Sequence, residues 1–170
     1  MAGLPGTGKS TLAQNLASTL GGLVIDKDSV RKALFSNFVD YSREQDDLAM
    51  DCVFSAAEYA ARTHRTLTVF IDGCTFARRS QVSRALDAAA RAESPCRIIE
   101  TICSDDAARR RLAGDAAAKD HPAMNRTFEL YLSIKSRREA IDEPKLIVDT
   151  ERPLEICVSE CLEYIKADVS

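Results

Sequence analysis

The chain has 170 residues, enough for one domain with its own hydrophobic core. Apolar residues make up 45% and charged residues 29%, as in ordinary globular proteins. The net charge of −3 disfavours a nucleic-acid backbone as the main partner, since proteins that bind one usually carry a basic face. We find no signal peptide and no apolar run of membrane-spanning length, so we expect a cytoplasmic protein without a membrane partner.

Helical and strand patterns alternate along the chain. Strands are predicted at 23–26, 66–72, 97–103 and 145–149. Helices are predicted at 8–20, 30–35, 44–65, 78–93, 106–113, 126–141 and from 153 onwards. The stretch 114–125 has the least regular pattern, and we expect it to be irregular. Alternation at this spacing predicts an α/β fold in which helices cover both faces of a parallel sheet.

A glycine-rich sequence opens the chain. Residues 3–11 read GLPGTGKST and fit the phosphate-binding pattern G-x-x-x-x-G-K-S/T at every fixed position. The glycines allow successive backbone N–H groups to face an anion, and the helix that follows adds the positive end of its dipole. We expect Lys9 to reach the β and γ phosphates of a nucleotide and Ser10 to bind Mg²⁺. A glycine turn that only caps a helix is the alternative.

The residues before this loop depart from the expected pattern. A phosphate-binding loop normally follows a buried strand, whereas only Met1 and Ala2 precede this one. Loss of a central strand would leave backbone groups of its two neighbours without partners. We therefore expect the first strand to be truncated, either because the start of the protein lies upstream of Met1 or because the sequence has been trimmed.

Aspartates lie at the ends of three predicted strands. Asp26, Asp72 and Asp149 fall at carboxyl ends, which in an open parallel sheet share the rim where ligands bind. Asp28 is a candidate general base, and Arg31, one helical turn later, can neutralise an anionic group of a substrate. Asp72 has the position of a Walker-B carboxylate, and Asp26 can share in metal binding. The alternatives are turn or cap residues and a surface ion pair.

These motifs, in this order, resemble the small P-loop kinases. That group includes polynucleotide 5′-kinases, gluconate-type kinases, chloramphenicol phosphotransferase and zeta-toxin-like kinases. The resemblance depends on the glycine-rich loop, D-x-D-x-x-R at 26–31, IDGC at 71–74, CSDD at 103–106, RL at 111–112 and VDT at 148–150. It implies one domain over 1–170 with the three-layer P-loop fold, a mostly parallel sheet and a small lid at about 106–126. It also implies phosphorylation of a hydroxyl by ATP and Mg²⁺.

The resemblance implies roles for individual residues. The catalytic residues would be Lys9, the general base Asp28, the substrate-side Arg31 and the lid residue Arg111. The nucleotide would contact Gly3, Pro5, Gly6, Thr7, Gly8, Lys9, Ser10, Thr11, Arg110, Arg126 and Thr150, and the metal Ser10, Asp26 and Asp72. A second lid arginine often follows the first by four residues in this group, but Asp115 stands there. Arg110, Lys119 and Arg126 are the candidates to replace it.

Three functions fit these observations. The leading interpretation is a kinase that phosphorylates a small molecule or nucleotide with Mg-ATP. The second is an ATP-binding regulatory or interaction module with little or no transfer, favoured by the truncated strand and the absent lid arginine. The third is a polynucleotide 5′-kinase, disfavoured by the mild acidity. We expect Cys74, Thr75 and Phe76 to face the acceptor, and they fit a sugar, an antibiotic or a nucleoside equally well.

Overall fold

The computed structural model describes residues 1–118 and 126–167. Its strands are β1 (Leu23–Asp26), β2 (Val69–Asp72), β3 (Ile98–Ile102) and β4 (Lys145–Asp149). Its helices are α1 (Lys9–Leu20), α2 (Lys27–Phe35), α3 (Arg43–Thr63), α4 (Arg79–Arg91), α5 (Asp105–Ala118), α6 (Phe128–Arg137) and α7 (Leu154–Lys166). A short 3₁₀ helix, Ser36–Phe38, follows α2. Within the described ranges, every helix is too short or too polar to cross a lipid bilayer.

The four strands form two parallel pairs. β1 lies beside β2 with Asp26 opposite Asp72, and β3 lies beside β4 with Ile102 opposite Asp149. Within each pair the two strands therefore end at the same level. This arrangement brings aspartates from different parts of the chain to the carboxyl ends of the strands, as the sequence predicted.

Residues 1–3 lie between the two strand pairs. The Ala2 N–H donates to the Ile99 carbonyl at 2.8 Å, and the Ala2 carbonyl accepts from the Thr101 N–H at 2.9 Å. On the other side, the Met1 nitrogen donates to the Ile71 carbonyl at 2.9 Å. The expected first strand is thus represented by a parallel bridge from Ala2 to β3, and residues 1–3 join the two pairs before the glycine-rich loop begins.

Side-chain alternation along the strands builds a core on each face of the sheet. Phe70 and Ile99 pack on one face with Leu12 and Leu16 of α1 and Cys157 of α7. The neighbouring residues Ile71 and Ile98 point to the opposite face and pack against the other core. That second core contains Met50, Val53 and Phe54 of α3 and Val82 and Ala88 of α4. Two helical layers therefore enclose the sheet, as predicted.

A cleft of about 510 Å³ lies between β2 and β3, next to Met1. Val69, Ile71, Ile98 and Ile99 contribute to its walls. Here the two strand pairs are separated, whereas at Ala2 the short segment of backbone fills the space between them.

Several predicted boundaries are wrong. α2 begins at Lys27 and not at 30, because the Asp26 side chain caps it by accepting the Ser29 N–H at 2.7 Å. α5 continues to Ala118 instead of ending at 113, so 114–118 is helical, and the rest of the stretch predicted to be irregular, 119–125, lies outside the described residues. β2 starts at Val69 because the Leu67 N–H donates to the His64 carbonyl in a turn, at 2.9 Å. α6 ends at Arg137, beyond which the Glu139 N–H donates to the Ala77 carbonyl at 2.9 Å.

Candidate active site

The glycine-rich loop turns directly into α1. Gly8 is the N-cap residue with φ 85° and ψ 12°, a conformation that favours glycine. A Cβ added at Gly6 would lie 3.0 Å from Leu112 Cγ and 3.1 Å from the Ala108 carbonyl oxygen, both on α5. The predicted need for glycine is therefore confirmed at both positions, and α5 packs closely over the loop.

Lys9 lies folded against the loop. Its Nζ donates to the Gly3 carbonyl at 2.9 Å and to the Leu4 carbonyl at 2.8 Å. Burial lowers the pKa of Lys9 to about 8, although the nearby negative charge of Asp72 acts in the opposite direction. The Lys9 ammonium group is therefore poorly solvated, which favours binding of an anion that would replace the two carbonyls.

Asp72 is almost fully buried at the end of β2. It is 1% exposed, and its Oδ1 has no hydrogen-bond partner among the described residues. A buried carboxylate oxygen without a donor is costly, and a cation would compensate it. Asp72 therefore fits the predicted Mg²⁺ site, because that ion prefers oxygen ligands, and the Ser10 hydroxyl also opens onto the neighbouring cavity.

Asp26 has a structural role that competes with metal binding. Its Oδ1 accepts the Ser29 N–H at 2.7 Å, which caps the start of α2. Its Oδ2 lies next to Gly73, where an added Cβ would approach it to 2.5 Å. Within residues 1–118 and 126–167 no three His, Cys, Asp or Glu side chains cluster as a metal site. A magnesium ion here would depend on Ser10, Asp72 and oxygens of a bound nucleotide.

Asp28 and Arg31 belong to a buried cluster of four charged side chains. Arg31 Nη1 donates to Asp28 Oδ1 at 3.1 Å. Lys27 Nζ donates to Asp46 Oδ1 at 2.6 Å, and Arg31 also donates to that carboxylate. Two acids and two bases therefore balance in charge. The Arg31 guanidinium is additionally 5.4 Å from the ring of Tyr41, and its Nε is buried without a hydrogen-bond partner among the described residues.

Asp46 was missed by the sequence analysis. It comes from the first turn of α3, where acidic residues are common because they interact favourably with the helix dipole. Nothing in its spacing relates it to Asp28 and Arg31. Only the packing of α3 beside α2 brings it into the cluster.

Arg111 joins three segments of the site. Its Nη1 donates to Thr150 Oγ1 and its Nη2 to the Thr150 carbonyl, both at 2.8 Å. Thr150 Oγ1 in turn donates to the Thr7 carbonyl at 2.9 Å. Arg111 Nη1 also lies 3.4 Å from the Gly6 carbonyl oxygen. The structure thus places Arg111 and Thr150 against the glycine-rich loop, with Arg111 holding the loop that follows β4.

Other predicted site residues lie in different surroundings. Arg126 Nη1 is 3.1 Å from Asp115 Oδ2, and the charge of Arg126 acts on Lys9. Arg110 and Thr11 are exposed on their helices. The Thr7 hydroxyl is buried, where it donates to the Leu4 carbonyl at 2.8 Å and lies 2.7 Å from Thr101 Oγ1. Only the backbone of Thr7 is therefore available to a nucleotide. Lys119 lies outside the described residues.

A cavity of about 560 Å³ opens beside the glycine-rich loop. Pro5, Lys9 and Ser10 of the loop line one part, and Asp28 and Arg31 line another. This volume is in the range of small-molecule sites. The cavity therefore brings the predicted phosphate-binding residues and the predicted acid–base residue to one space.

The loop after β2 contributes only part of its predicted lining. Cys74 and Thr75 line the cavity, but Phe76 does not. Phe76 is buried in the core formed by α3 and α4, so its predicted contact with the acceptor is wrong. Burial of the aromatic ring removes a large apolar surface from water, which the loop position alone did not reveal.

Comparisons with known proteins place this geometry in a family. Residues 1–140 match AAA_33, described as an AAA domain. The chain belongs to the AAA_33 family. A search of curated proteins finds no match.

Solved structures of several kinases have the same fold as this chain. The Mycobacterium tuberculosis APS kinase CysC, determined with AMPPNP and APS, is 18% identical, with a TM-score of 0.72 over 98% of this chain and 95% of that one. A provisionally assigned kinase from Chloroflexus aurantiacus j-10-fl is 21% identical, with a TM-score of 0.73 over 94% and 93%. A gluconokinase from Sinorhizobium meliloti 1021 is 18% identical, with a TM-score of 0.65 over 96% and 88%. The predicted small P-loop kinase fold is confirmed.

Proposed function

We propose that this AAA_33 protein is an ATP-dependent kinase that transfers the γ-phosphoryl group to a hydroxyl of a small molecule. The observation that carries the proposal is that Lys9 and Asp28 face the same cavity of about 560 Å³ beside the glycine-rich loop. Phosphoryl transfer requires a cation at the phosphates and a carboxylate at the attacking hydroxyl. Kinases among the structures of the same fold support this function.

Residues of the loop and of β2 would bind the nucleotide and its metal. Backbone N–H groups from Gly6 to Ser10 would bind the phosphates, and Lys9 would exchange its two carbonyl partners for phosphate oxygens. Ser10 and the buried carboxylate of Asp72 would hold Mg²⁺, which neutralises charge on the phosphates. α5 already packs on the loop at Gly6, and the change that binding requires is the exchange of partners by Lys9.

Asp28 would act as the general base. It accepts the proton of the acceptor hydroxyl, whose oxygen forms a bond to the γ-phosphorus. The bond from that phosphorus to the bridging oxygen breaks, and its electron pair leaves with ADP. Arg31 donates to Asp28 at 3.1 Å and so fixes the orientation of the carboxylate. Arg31 is itself fixed by Asp46.

Arg111, Arg126 and Thr150 would bind at the nucleotide side. Thr150 packs against Gly8, where an added Cβ would lie 3.3 Å from its Oγ1, and it would flank the adenine or ribose. Arg111 positions Thr150 through two hydrogen bonds. Arg126 would reach the phosphates, because its charge already acts on Lys9.

A coupled assay of ADP release tests this function against a library of hydroxyl compounds with Mg-ATP. We expect Lys9→Ala to lose both ATP binding and transfer. Asp28→Asn is expected to lose transfer but to keep ATP binding, because its side chain is directed to the acceptor. The exposed Asp87 of α4 offers a matched control, since Asp87→Asn removes the same charge away from the cavity. Undiminished turnover in either active-site variant would refute the assigned role.

An ATP-binding module without transfer is the second candidate. The observation that favours it is Asp115, which stands where a lid arginine is expected and pairs with Arg126. Titration calorimetry that detects ATP binding, with no transfer to any hydroxyl in the library, would support this alternative.

A further inference from the structure

The cavity beside the glycine-rich loop is basic although the chain as a whole is acidic. Seven basic and three acidic side chains line it, whereas the net charge of the chain is −3. Lys9 and Arg126 belong to the nucleotide side of the proposed active site. A positive charge that exceeds the needs of the nucleotide indicates a second anionic ligand.

Part of this charge is neutralised inside the protein. Lys27 and Arg31 are balanced by Asp28 and Asp46, with N to O distances that include 2.6 Å and 3.1 Å. The side chains of Lys27, Asp28 and Arg31 are about nine-tenths buried and that of Asp46 about four-fifths, so their charges are paired within the protein.

The basic residues that remain in the cavity wall are Arg43, Arg78 and Arg137, opposed by Glu139. Among the described residues, the ionic partner of Arg43 and of Arg78 is Asp47, and both contacts are long. Asp47 Oδ2 lies 3.7 Å from Arg43 Nε, and Asp47 Oδ1 lies 3.6 Å from Arg78 Nη2. Neither distance is that of a good hydrogen bond. Asp47 Oδ1 also lies 3.8 Å from Arg84 Nη1, so the single negative charge of Asp47 is shared among three guanidinium groups.

Arg78 is held at a defined position by its backbone. Its N–H donates to Gln81 Oε1 at 3.2 Å, and Gln81 is buried. The next N–H, that of Arg79, donates to Glu139 Oε2 at 2.6 Å. The Arg78 side chain is about one-third exposed and faces the cavity. A fixed backbone with free guanidinium donors is suited to binding an oxyanion.

We propose that the acceptor carries an anionic group, a phosphate, sulfate or carboxylate, which Arg78 and Arg43 bind while its hydroxyl faces Asp28. That the anionic ligand is the phosphoryl acceptor rests on the proposed kinase function. That the cavity binds an anion rests only on the positions of Arg43 and Arg78. The Asp28 cluster and the two arginines line the same cavity, so one acceptor can reach both.

Sulfate binding tests the site without knowledge of the acceptor. The protein is saturated with Mg-ADP, so that the glycine-rich loop is occupied, and titrated with sulfate at constant ionic strength. We expect Arg78→Gln to weaken sulfate binding about tenfold or more, since hydrogen bonds to charged groups are lost. Arg84→Gln is the matched control, because it removes an equal charge from the same Asp47 outside the cavity, and it should bind sulfate like the wild type.

Turnover with paired acceptors tests the substrate class. Each pair consists of a neutral hydroxyl compound and its phosphorylated, sulfated or carboxylated counterpart. We expect transfer to the anionic member only. Arg78→Gln should raise the KM for that acceptor about tenfold while the KM for ATP stays unchanged, and Arg78→Lys should recover part of the loss.

The outcomes separate this inference from the proposed function. Equal turnover of neutral and anionic members, or sulfate binding that is the same in wild type and Arg78→Gln, overturns the inference and leaves the kinase function intact. Sulfate binding that depends on Arg78, without phosphorylation of any acceptor, supports the anion site and refutes the kinase. Melting curves verify folding, and Arg43→Gln repeats the test if Arg78→Gln does not fold.

Discussion

Asp115 of α5 forms an ion pair with Arg126, with 3.1 Å between Oδ2 and Nη1. The resemblance to the small P-loop kinases places a second lid arginine at the position of Asp115. The chain instead has an acid there, and this acid binds an arginine that follows α5. Asp115 thereby holds the positive charge of Arg126 close enough to act on Lys9, although Arg126 does not occupy the expected position of the lid arginine.

Arg126→Gln is expected to weaken ATP binding about tenfold, because Arg126 would lose its contact with the phosphates. Asp115→Asn should have the opposite effect and tighten ATP binding a few-fold, since it releases Arg126 from its partner. Calorimetric titration with Mg-ATP measures both. Asp106→Asn, an exposed residue on the same helix, serves as the control. ATP affinity that is unchanged in Arg126→Gln would contradict the role of this arginine.

Thr150→Val tests the link between Arg111 and the glycine-rich loop. Valine has the shape of threonine but cannot accept from Arg111 or donate to the Thr7 carbonyl. We expect a loss of about 1–2 kcal/mol in the free energy of unfolding and a higher KM for ATP, with no change in the KM for the acceptor. Urea unfolding and steady-state kinetics give these values.

Thr19→Val is the matched control for this substitution. Thr19 is exposed on α1, and its hydroxyl donates to the Asn15 carbonyl within the same helix. Thr19→Val should leave the KM for ATP and the KM for the acceptor unchanged. If the two variants behave alike, Thr150 has no specific role at the nucleotide.

Asp72→Asn tests the proposed magnesium ligand. The charge of Asp72 acts favourably on the buried Lys9 ammonium, so removing this charge is expected to lower the free energy of unfolding of the protein without magnesium. The same change should raise the Mg²⁺ concentration needed for half-maximal activity at least tenfold. Asp149→Asn, at the end of β4, should leave the Mg²⁺ dependence as it is. A normal Mg²⁺ requirement in Asp72→Asn would exclude Asp72 as a ligand.

Glu100 makes stability depend on pH below neutrality. Burial alone would raise the pKa of Glu100, but hydrogen bonds from Lys145 and Arg138 outweigh it and lower the pKa from its usual 4.5. A carboxylate with a lowered pKa stabilises the folded state above the unfolded value, and this contribution is lost as the pH falls through the folded value. Acidification below pH 4.5 should therefore lower the free energy of unfolding of the protein.

Glu100→Gln is expected to lower the free energy of unfolding by about 1–3 kcal/mol at pH 7. The difference from wild type should shrink as the pH falls below 4.5, because the wild-type carboxyl becomes protonated. Urea unfolding at pH 7, 5 and 3.5 measures this trend. Glu155→Gln, an exposed residue of α7, should show no such trend. A constant difference at all three pH values would contradict the role of the Glu100 charge.

Local chemistry made much of the fold predictable. β1 and β4 have the limits expected from the sequence, since each is a short run of mainly apolar residues that ends at an aspartate. The glycine-rich loop was predictable because each fixed position has its own chemical role. Lys9 and Asp28 line one cavity because the parallel strands before them end at the same edge of the fold, whereas their chemical roles stay a prediction.

Tertiary packing determined what the sequence did not reveal. Asp46 and Arg78 reach the cavity only because α3 and α4 pack beside the end of β2. In the sequence they look like ordinary charged residues near helix ends. Phe76 was predicted to face the acceptor because its neighbours do, but the core on that side of the sheet accommodates its ring.

Arg111 joins segments that lie far apart in the sequence, because its hydrogen bonds reach Gly6 in the glycine-rich loop and Thr150 after β4. Segments that share such contacts tend to open locally as one unit. The backbone amides of the glycine-rich loop and of residues 150–152 should therefore exchange their hydrogens at related rates, and a ligand that holds the loop should slow exchange in both segments.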